Sequence, residues 1–413
     1  MKFGIIGLGY VGLATLCGLA KAGHEVIGVE KHHPRLDRLM DGEIPFHEPG
    51  MAEVLHDHMD SITFTDSIAA TDSVDYLVLA VGTPSKQDGS CDLSFVDAVL
   101  SEVTTKQKII IRSTVPPGTT DLLSVMYPGH TFAVVPEFLQ EGRALADVLK
   151  PQRVVIGCHN LEMSEELAGI YGRLGVPILC TSPINAEFIK YASNAFLATK
   201  ISFINDLSRL ADRAGADITT IADGMGLDPR IGRSFLNAGL GYGGSCFPKD
   251  MHALLNVAHE NDLDLPVIRA AMNANDAQMN YVASKIEAKR GLKVAFLGLA
   301  FKPDTDDMRD APSLTLARLL TMREIDVIGY DPLATWDFPQ ATTVEAALNG
   351  ADVAILVTEW DELVNLKPEA FDGMRTKRFI DARNAWKYAR DPGAVEYEGI
   401  GRAQNKTNTT SSI

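Results

Sequence analysis

Six residues, Gly7-Leu8-Gly9-Tyr10-Val11-Gly12, join the apolar run KFGII to a helical pattern that reaches about Lys21. A strand that turns through G-x-G-x-x-G straight into a helix admits few folds, and Glu30 at the end of the next apolar run, HEVIGV, narrows them further. Alone, the glycines are compatible with an ordinary turn. In this context they let backbone approach a pyrophosphate, helix N–H groups meet its charge, and Glu30 accepts hydrogen bonds from ribose hydroxyls. A carboxylate there repels a 2′-phosphate, which favours NAD over NADP, with Lys31 and Arg35 as the nearby cations that argue the other way.

The same alternation continues through KFGII, HEVIGV, ITF, DYLVLAV, KIIIRS, TFAVV, RVVIG and VPILC. Strands alternating with helices predict parallel pairing through crossovers, hence an α/β, doubly wound Rossmann-like domain over 1–181. From Ile184 to Ala214 there is neither Gly nor Pro, and Pro183 suits a first helical turn, so one long helix is expected. Helical patterns follow from Pro248 to His259 and from Pro266 to about Lys289. We read 182–289 as a central helical region; a long helix joining two α/β halves leaves apolar sides uncovered, which points to a homodimer. Strand patterns resume at KVAFLGL, DVIGY, DVAILV and RFIDA, giving a second Rossmann-like domain over 290–402. The polar tail 403–413 is expected to be disordered.

A length of 413 residues fits two or three such domains, and 46% apolar with 22% charged residues is the composition of a globular protein. The net charge of -16 argues against a nucleic-acid or acidic-membrane surface. Five scattered cysteines without C-x-x-C suggest neither disulfides nor a metal site, and fit a reducing cytoplasm. The apolar start from Phe3 to Ala20 could be mistaken for a secretory signal, but its spaced glycines have the strand-turn-helix explanation.

Strand ends carry V-G-T-P (Val81 to Pro84), S-T-V-P-P-G (Ser113 to Gly118) and P-E-F-L-Q-E-G (Pro136 to Gly142), where a doubly wound sheet opens its ligand crevice. Each alone is also an ordinary turn. Lys190 and Asn194 lie four apart on the long helix and share a face, either as a solvated stripe or as two groups aimed at one ligand. Cys246 stands in L-G-Y-G-G-S-C-F-P-K-D. A lone cysteine is ordinarily a small buried hydrophobe. Here the glycines allow close approach of backbone to a ligand, and a helix starting near Pro248 would put the thiol where the dipole favours thiolate, the nucleophilic form.

The order GLGYVG, Glu30, VGTP, STVPPG, PEFLQEG, KYASNAF, DPRIG, FLNAGLGYGGSCFPKD and FKPDTDDMRDAPS resembles the UDP-glucose/GDP-mannose dehydrogenase family, densely from Met1 to about Ser313. FLNAG before GGSCFPKD is most similar to the branch acting on UDP-glucose; N-acetylhexosamine branches usually have His where this chain has Ser245. The resemblance implies oxidation of a sugar CH2OH to a carboxylate by two NAD in succession. In it, Cys246 passes from thiohemiacetal to thioester, Lys190 and Asn194 steady the oxyanion, Asp250 serves the water, and Glu141 assists hydrolysis. Lys190 could instead be the base of the first step. Thr114 is implied both at the reacting centre and at the cofactor.

For the cofactor the resemblance implicates Val11, Glu30, Arg35, Thr83, Thr114, Glu141, Lys249 and Arg309, beside Gly7, Gly9, Tyr10 and Gly12 of the turn. For the nucleotide sugar it implicates Glu137, Phe138, Leu139, Gln140 and Glu141, then Lys190 and Asn194. Further along it adds Phe235, Leu236, Asn237, Ala238, Gly239, Gly243 and Lys302, with Arg230 reaching a neighbouring subunit's substrate. Gln140 replaces a common Arg, and Glu30 a common Asp. A two-electron hydroxyacid-type dehydrogenase shares the first motif and a helix lysine but has no use for Cys246. A silent NAD-binding scaffold would have no need of the thiol, Lys190, Asn194 and Asp250 together.

Overall fold

The computed structural model describes residues 1–287 and 289–402, so the tail expected to be disordered lies outside the described residues. They form two compact units, one of Met1–Ser193 with His252–Asp264, the other of Asn194–Met251 and the chain from Leu265 on.

In the first unit the eight apolar runs become eight strands of one sheet. They are β1 (Lys2–Ile6), β2 (Glu25–Val29), β3 (Ile62–Thr65), β4 (Tyr76–Leu79), β5 (Lys108–Ile111), β6 (Thr131–Val134), β7 (Val154–Cys158) and β8 (Ile178–Thr181), in the order β3-β2-β1-β4-β5-β6-β7-β8. Strand parity divides the core. Ile5, Val78 and Ile110 face one side with Leu13 and Leu16, while Ile6, Leu77, Leu79 and Ile111 face the other with Val96 and Leu100. Both faces of the inner strands are therefore dry, which is why those strands are apolar nearly throughout, whereas β3 and β8 at the edges are partly exposed.

One pairing differs from the parallel expectation: β7 runs antiparallel to β6. A parallel return needs a crossover along the sheet. Between them the chain forms only the six-residue helix Ala144–Leu149, so it re-enters from the edge it left.

The register aligns what matters. Ile6 is level with Val29 and Leu79, Leu79 with Ile111, and Ile111 with Val134. The loops that begin at Gly7, Glu30, Ala80, Arg112 and Val135 consequently leave one edge side by side, on either side of the β1/β4 switch point.

The second unit holds a parallel sheet of β9 (Lys293–Leu297), β10 (Asp326–Tyr330), β11 (Val353–Leu356), β12 (Arg378–Asp381) and β13 (Glu396–Gly399), ordered β10-β9-β11-β12-β13. Its core is again split by parity, with Phe296, Ile355 and Ile380 on one face and Leu297, Leu356 and Phe379 on the other. β13 was not anticipated, because EYEG has no apolar run to show it. The long helix is Pro183–Ala214, 32 residues, and the helix after the cysteine is Phe247–Glu260. The next helix, Pro266–Ser284, stops short of the expected Lys289. Lys285, just past its end, is held by Asp212 at 2.9 Å and Glu398 at 2.8 Å. Among the described residues no helix is long and apolar enough to cross a membrane.

Candidate active site

In the first unit the glycines of the opening turn do three different jobs. Gly7 has φ +91°, and a Cβ on it would lie 2.8 Å from the Ala80 carbonyl oxygen. A Cβ on Gly12 would lie 1.8 Å from the Gly7 carbonyl, so only glycine lets the helix pack on the turn. Around Gly9, among the described residues, nothing beyond its chain neighbours comes within 4 Å of that position. Gly9 is also the N-cap of the helix Tyr10–Lys21, which no side chain caps. An open approach to uncapped N–H groups is what a pyrophosphate requires.

Glu30 is buried at the end of β2 and accepts hydrogen bonds from the N–H groups of Leu8 (3.1 Å) and His32 (2.9 Å) and from Arg35 (3.0 Å). Burial raises its pKa, but the His32 N–H, Arg35 and the Leu8 N–H together bring it below the usual carboxylate range. The two cations that left NADP open are engaged: Arg35 with Glu30, and Lys31 with Glu102 at 3.1 Å. These features fit NAD. Replacing Glu30 by alanine is expected to weaken NAD by roughly ten- to a hundredfold, the loss of charge-assisted hydrogen bonds worth about 1.5–3 kcal/mol. Calorimetric titration checks this, and an unaltered affinity would sink the ribose assignment.

The strand-end motifs are tied together as their register suggests. The Thr83 hydroxyl donates to the Thr114 carbonyl at 2.8 Å, and Ser113 donates to Val81 at 2.7 Å. The Tyr10 ring lies on Phe46, with centroids 3.9 Å apart; Val11 is the second residue of that helix.

On the third motif, Glu137 and Lys190 form a buried ion pair, Oε1 to Nζ 2.9 Å. The second Glu137 oxygen accepts the Leu139 N–H at 2.6 Å. Burial pushes this carboxyl up, yet Lys190, the Leu139 N–H and the charge of Arg112 bring it below its ordinary value. The Phe138 ring lies under the Arg153 guanidinium at 3.8 Å. Gln140 N–H donates to Asp147 and Gly142 N–H to Glu48, fixing the loop on which the half-buried Glu141 sits. Lys190 is therefore no solvated stripe.

In the second unit Cys246 is exposed, and its carbonyl accepts the Asp250 N–H at 2.9 Å, which makes it the first cap of the helix Phe247–Glu260. Ser245 Oγ is 3.5 Å from the thiol sulfur. Asp250 is buried and receives Asn194 Nδ2 at 2.6 Å and Lys249 Nζ at 2.8 Å. Asn194 and Asp250, 56 residues apart, form one network with Lys249.

The glycine bed has a cause within the chain itself. A Cβ on Gly243 would lie 2.1 Å from the Asp310 carbonyl oxygen, and one on Gly244 would lie 2.7 Å from the Phe301 ring. On the Cβ side of both residues the space is taken by the chain's own packing. Gly243→Ala is accordingly expected to cost about 1–3 kcal/mol through overpacking, read as a lower denaturation midpoint; a wild-type midpoint would contradict it.

Nearby, Phe235 has φ 65°, Leu236 and Ala238 are buried, Asn237 is exposed, and the Gly239 N–H donates to Asn205 at 2.8 Å. Lys302 lies 5.5 Å from the Phe301 ring. Arg309 grips Asp307, and Arg230 grips Asp228 on the surface.

Two strand ends of this unit went unread. Glu359 after β11 and Arg383 after β12 form a bidentate pair, at 2.5 and 3.0 Å. The signal was available: both follow apolar strands, as VGTP and STVPPG do.

The two sheets share one design with different endings. Asp331, after β10, stands where Glu30 stands after β2, and it accepts the N–H groups of Leu299, Ala300, Leu333 and Ala334 and the Trp360 indole N–H. A carboxylate so occupied has little capacity left for ribose hydroxyls.

Over residues 1–175 the chain matches the NAD binding domain of the UDP-glucose/GDP-mannose dehydrogenase family, over 184–277 its central domain, and over 295–388 its UDP binding domain. It is 39% identical to a UDP-glucose 6-dehydrogenase of Pseudomonas aeruginosa, over 97% of this chain and 98% of that one. It is 38% identical to another from Haloferax volcanii, over 93% and 96%. A solved UDP-glucose dehydrogenase of the archaeon Pyrobaculum islandicum superimposes with a TM-score of 0.91 at 35% identity, covering 97% of this chain and 98% of that one. With three domains matched in order and relatives aligned nearly end to end, the chain belongs to the UDP-glucose/GDP-mannose dehydrogenase family.

Proposed function

We propose that this protein oxidises UDP-glucose to UDP-glucuronate, removing four electrons in two steps at one carbon. The observation that carries the reading is an exposed thiol on Cys246, whose backbone carbonyl caps the helix that carries Lys249 and Asp250 in its first turn, with Asn194 bonded to Asp250. When bound, NAD accepts a hydride in each step. The Cys246 thiolate adds to the aldehyde formed first, giving a thiohemiacetal. Loss of the second hydride leaves a thioester, and water cleaves it to the carboxylate and the thiol. Sugar CH2OH, two NAD and one water thus become carboxylate, two NADH and three protons.

The neighbouring groups support a division of labour. Asp250 takes one N–H of the Asn194 amide, which orients the other as an oxyanion donor. Lys190 is held by a buried carboxylate at 2.9 Å, a fixed donor that we assign to the oxyanion and not to the base of the first step. Asp250 and Glu141 are the carboxylates assigned to the hydrolytic water, and Thr114 is assigned to the reacting centre. Residues 1–181 take NAD and 290–402 the UDP group, with Lys302 and Arg383 as its cations.

A homodimer through the central region is part of the proposal. Phe196, Phe203 and Leu210 recur every seven residues on the long helix at 65%, 48% and 63% exposure, a stripe that a second copy would cover. The cytoplasm suits an enzyme with five scattered cysteines and no C-x-x-C. Incubating the protein with NAD and UDP-glucose, UDP-galactose, UDP-N-acetylglucosamine or GDP-mannose, while following NADH, tests the substrate. UDP-glucose is expected to give the highest kcat/KM; preference for another sugar would overturn the assignment.

A further inference from the structure

Glu187 lies on the long helix three residues before Lys190 and is 2% exposed. Its carboxylate accepts the Gly118 N–H at 2.6 Å, the Thr120 N–H at 2.8 Å and the Thr120 hydroxyl at 2.5 Å. Gly118 is the N-cap of the helix Thr119–Met126, in left-handed backbone at φ +92°, and it has no side chain to cap with. A carboxylate from 69 residues away in sequence therefore closes that helix end.

The segment it holds is short and stiff. From Thr114 to Gly118 the chain reads Thr-Val-Pro-Pro-Gly, with two prolines fixing φ. At its start the Thr114 carbonyl is held by Thr83; at its end the Gly118 N–H is held by Glu187. One turn along the long helix, Lys190 is held by Glu137. The first turns of this helix are thus pinned to two strand-end loops, one through Lys190 and one through Glu187.

We propose that Glu187 is a positioning residue for the oxidation, setting Thr114 in place relative to the turn of the long helix that carries Lys190. The inference rests on the assignment of Thr114 and Lys190 to the reaction. Glutamine is a fair probe of it. Burial pushes the Glu187 carboxyl up to about 7 against the three hydrogen bonds, with Asp121 adding to the rise, so a neutral side chain there is not foreign to the site. A Gln amide offers only one oxygen, and its NH2 group opposes whichever backbone N–H it faces.

Glu187→Gln is expected to lower kcat on the order of tenfold with KM values within about threefold, as for a small misplacement of reacting groups. In a Thr114→Ala background the same change is expected to cost less than about twofold, because the group it positions is gone. Amide hydrogen exchange at Gly118 and Thr120 should accelerate in the variant. An unchanged kcat, or an equal loss in both backgrounds, would overturn the proposal. The parent enzyme's turnover in the same assay reports on the assigned reaction, and the ratio of variant to parent reports on Glu187.

Discussion

Cys246→Ser is expected to lower release of the acid product by at least about a thousandfold while leaving NAD affinity within about twofold. A serine hydroxyl has nearly the same size but is far less acidic than a thiol, so at neutral pH there is no anion to add to the aldehyde. The side chain is exposed and the helix N-cap role belongs to its backbone carbonyl, so the fold is expected to tolerate oxygen in place of sulfur. NAD is assigned to the unit built on β1–β8, whose glycine turn and Glu30 the substitution does not touch. Product analysis after prolonged incubation should find no UDP-glucuronate above background. Unchanged acid formation would refute the covalent route.

Lys190→Met has the second large expected effect, and it acts on stability and on turnover. Removing one partner of a buried ion pair strands the other charge, which costs about 3–5 kcal/mol. The pH dependence follows from the sign of the Glu137 shift. In the parent its pKa is lowered, so its contribution is present above the ordinary carboxylate value and is lost as pH falls through the folded value. Without Lys190, burial dominates and raises it, so the folded state favours the protonated acid. The destabilisation should then be largest at neutral pH and shrink toward pH 4–5. Adding Glu137→Gln should recover much of the stability and none of the turnover. Chemical denaturation across pH with steady-state rates checks both; a Lys190→Met protein with parental stability at pH 7 would contradict the buried pair.

What the sequence made legible has a physical pattern. The inner strands of the first sheet were readable because both of their faces are covered and they are nearly continuous apolar runs, while the edge strands β3 and β8 are only partly buried. β13 was not, because a charged four-residue edge strand looks like a loop. The antiparallel turn at β7 is a matter of topology and left no trace in strand composition.

The site divides in the same way. The Gly7–Gly12 turn, Glu30 and Cys246 could be read locally, since their physics depends on neighbours in sequence. Asn194 with Asp250, Lys190 with Glu137, and Glu187 with Gly118 could not, because each pairing spans 53 to 69 residues. The need for close approach at the glycines before Cys246 was also legible, but the chain's own part in it was not, because Asp310 and Phe301 lie far along the sequence.

The central claim is that two hydrides leave one carbon at a thiol that holds the intermediate. Counting NADH formed per UDP-glucose consumed, in a reaction run to completion with NAD in excess, tests it directly. The account predicts a ratio of about two, with UDP-glucuronate as the product and no free aldehyde trapped. A ratio near one would contradict it and would make the protein a two-electron dehydrogenase.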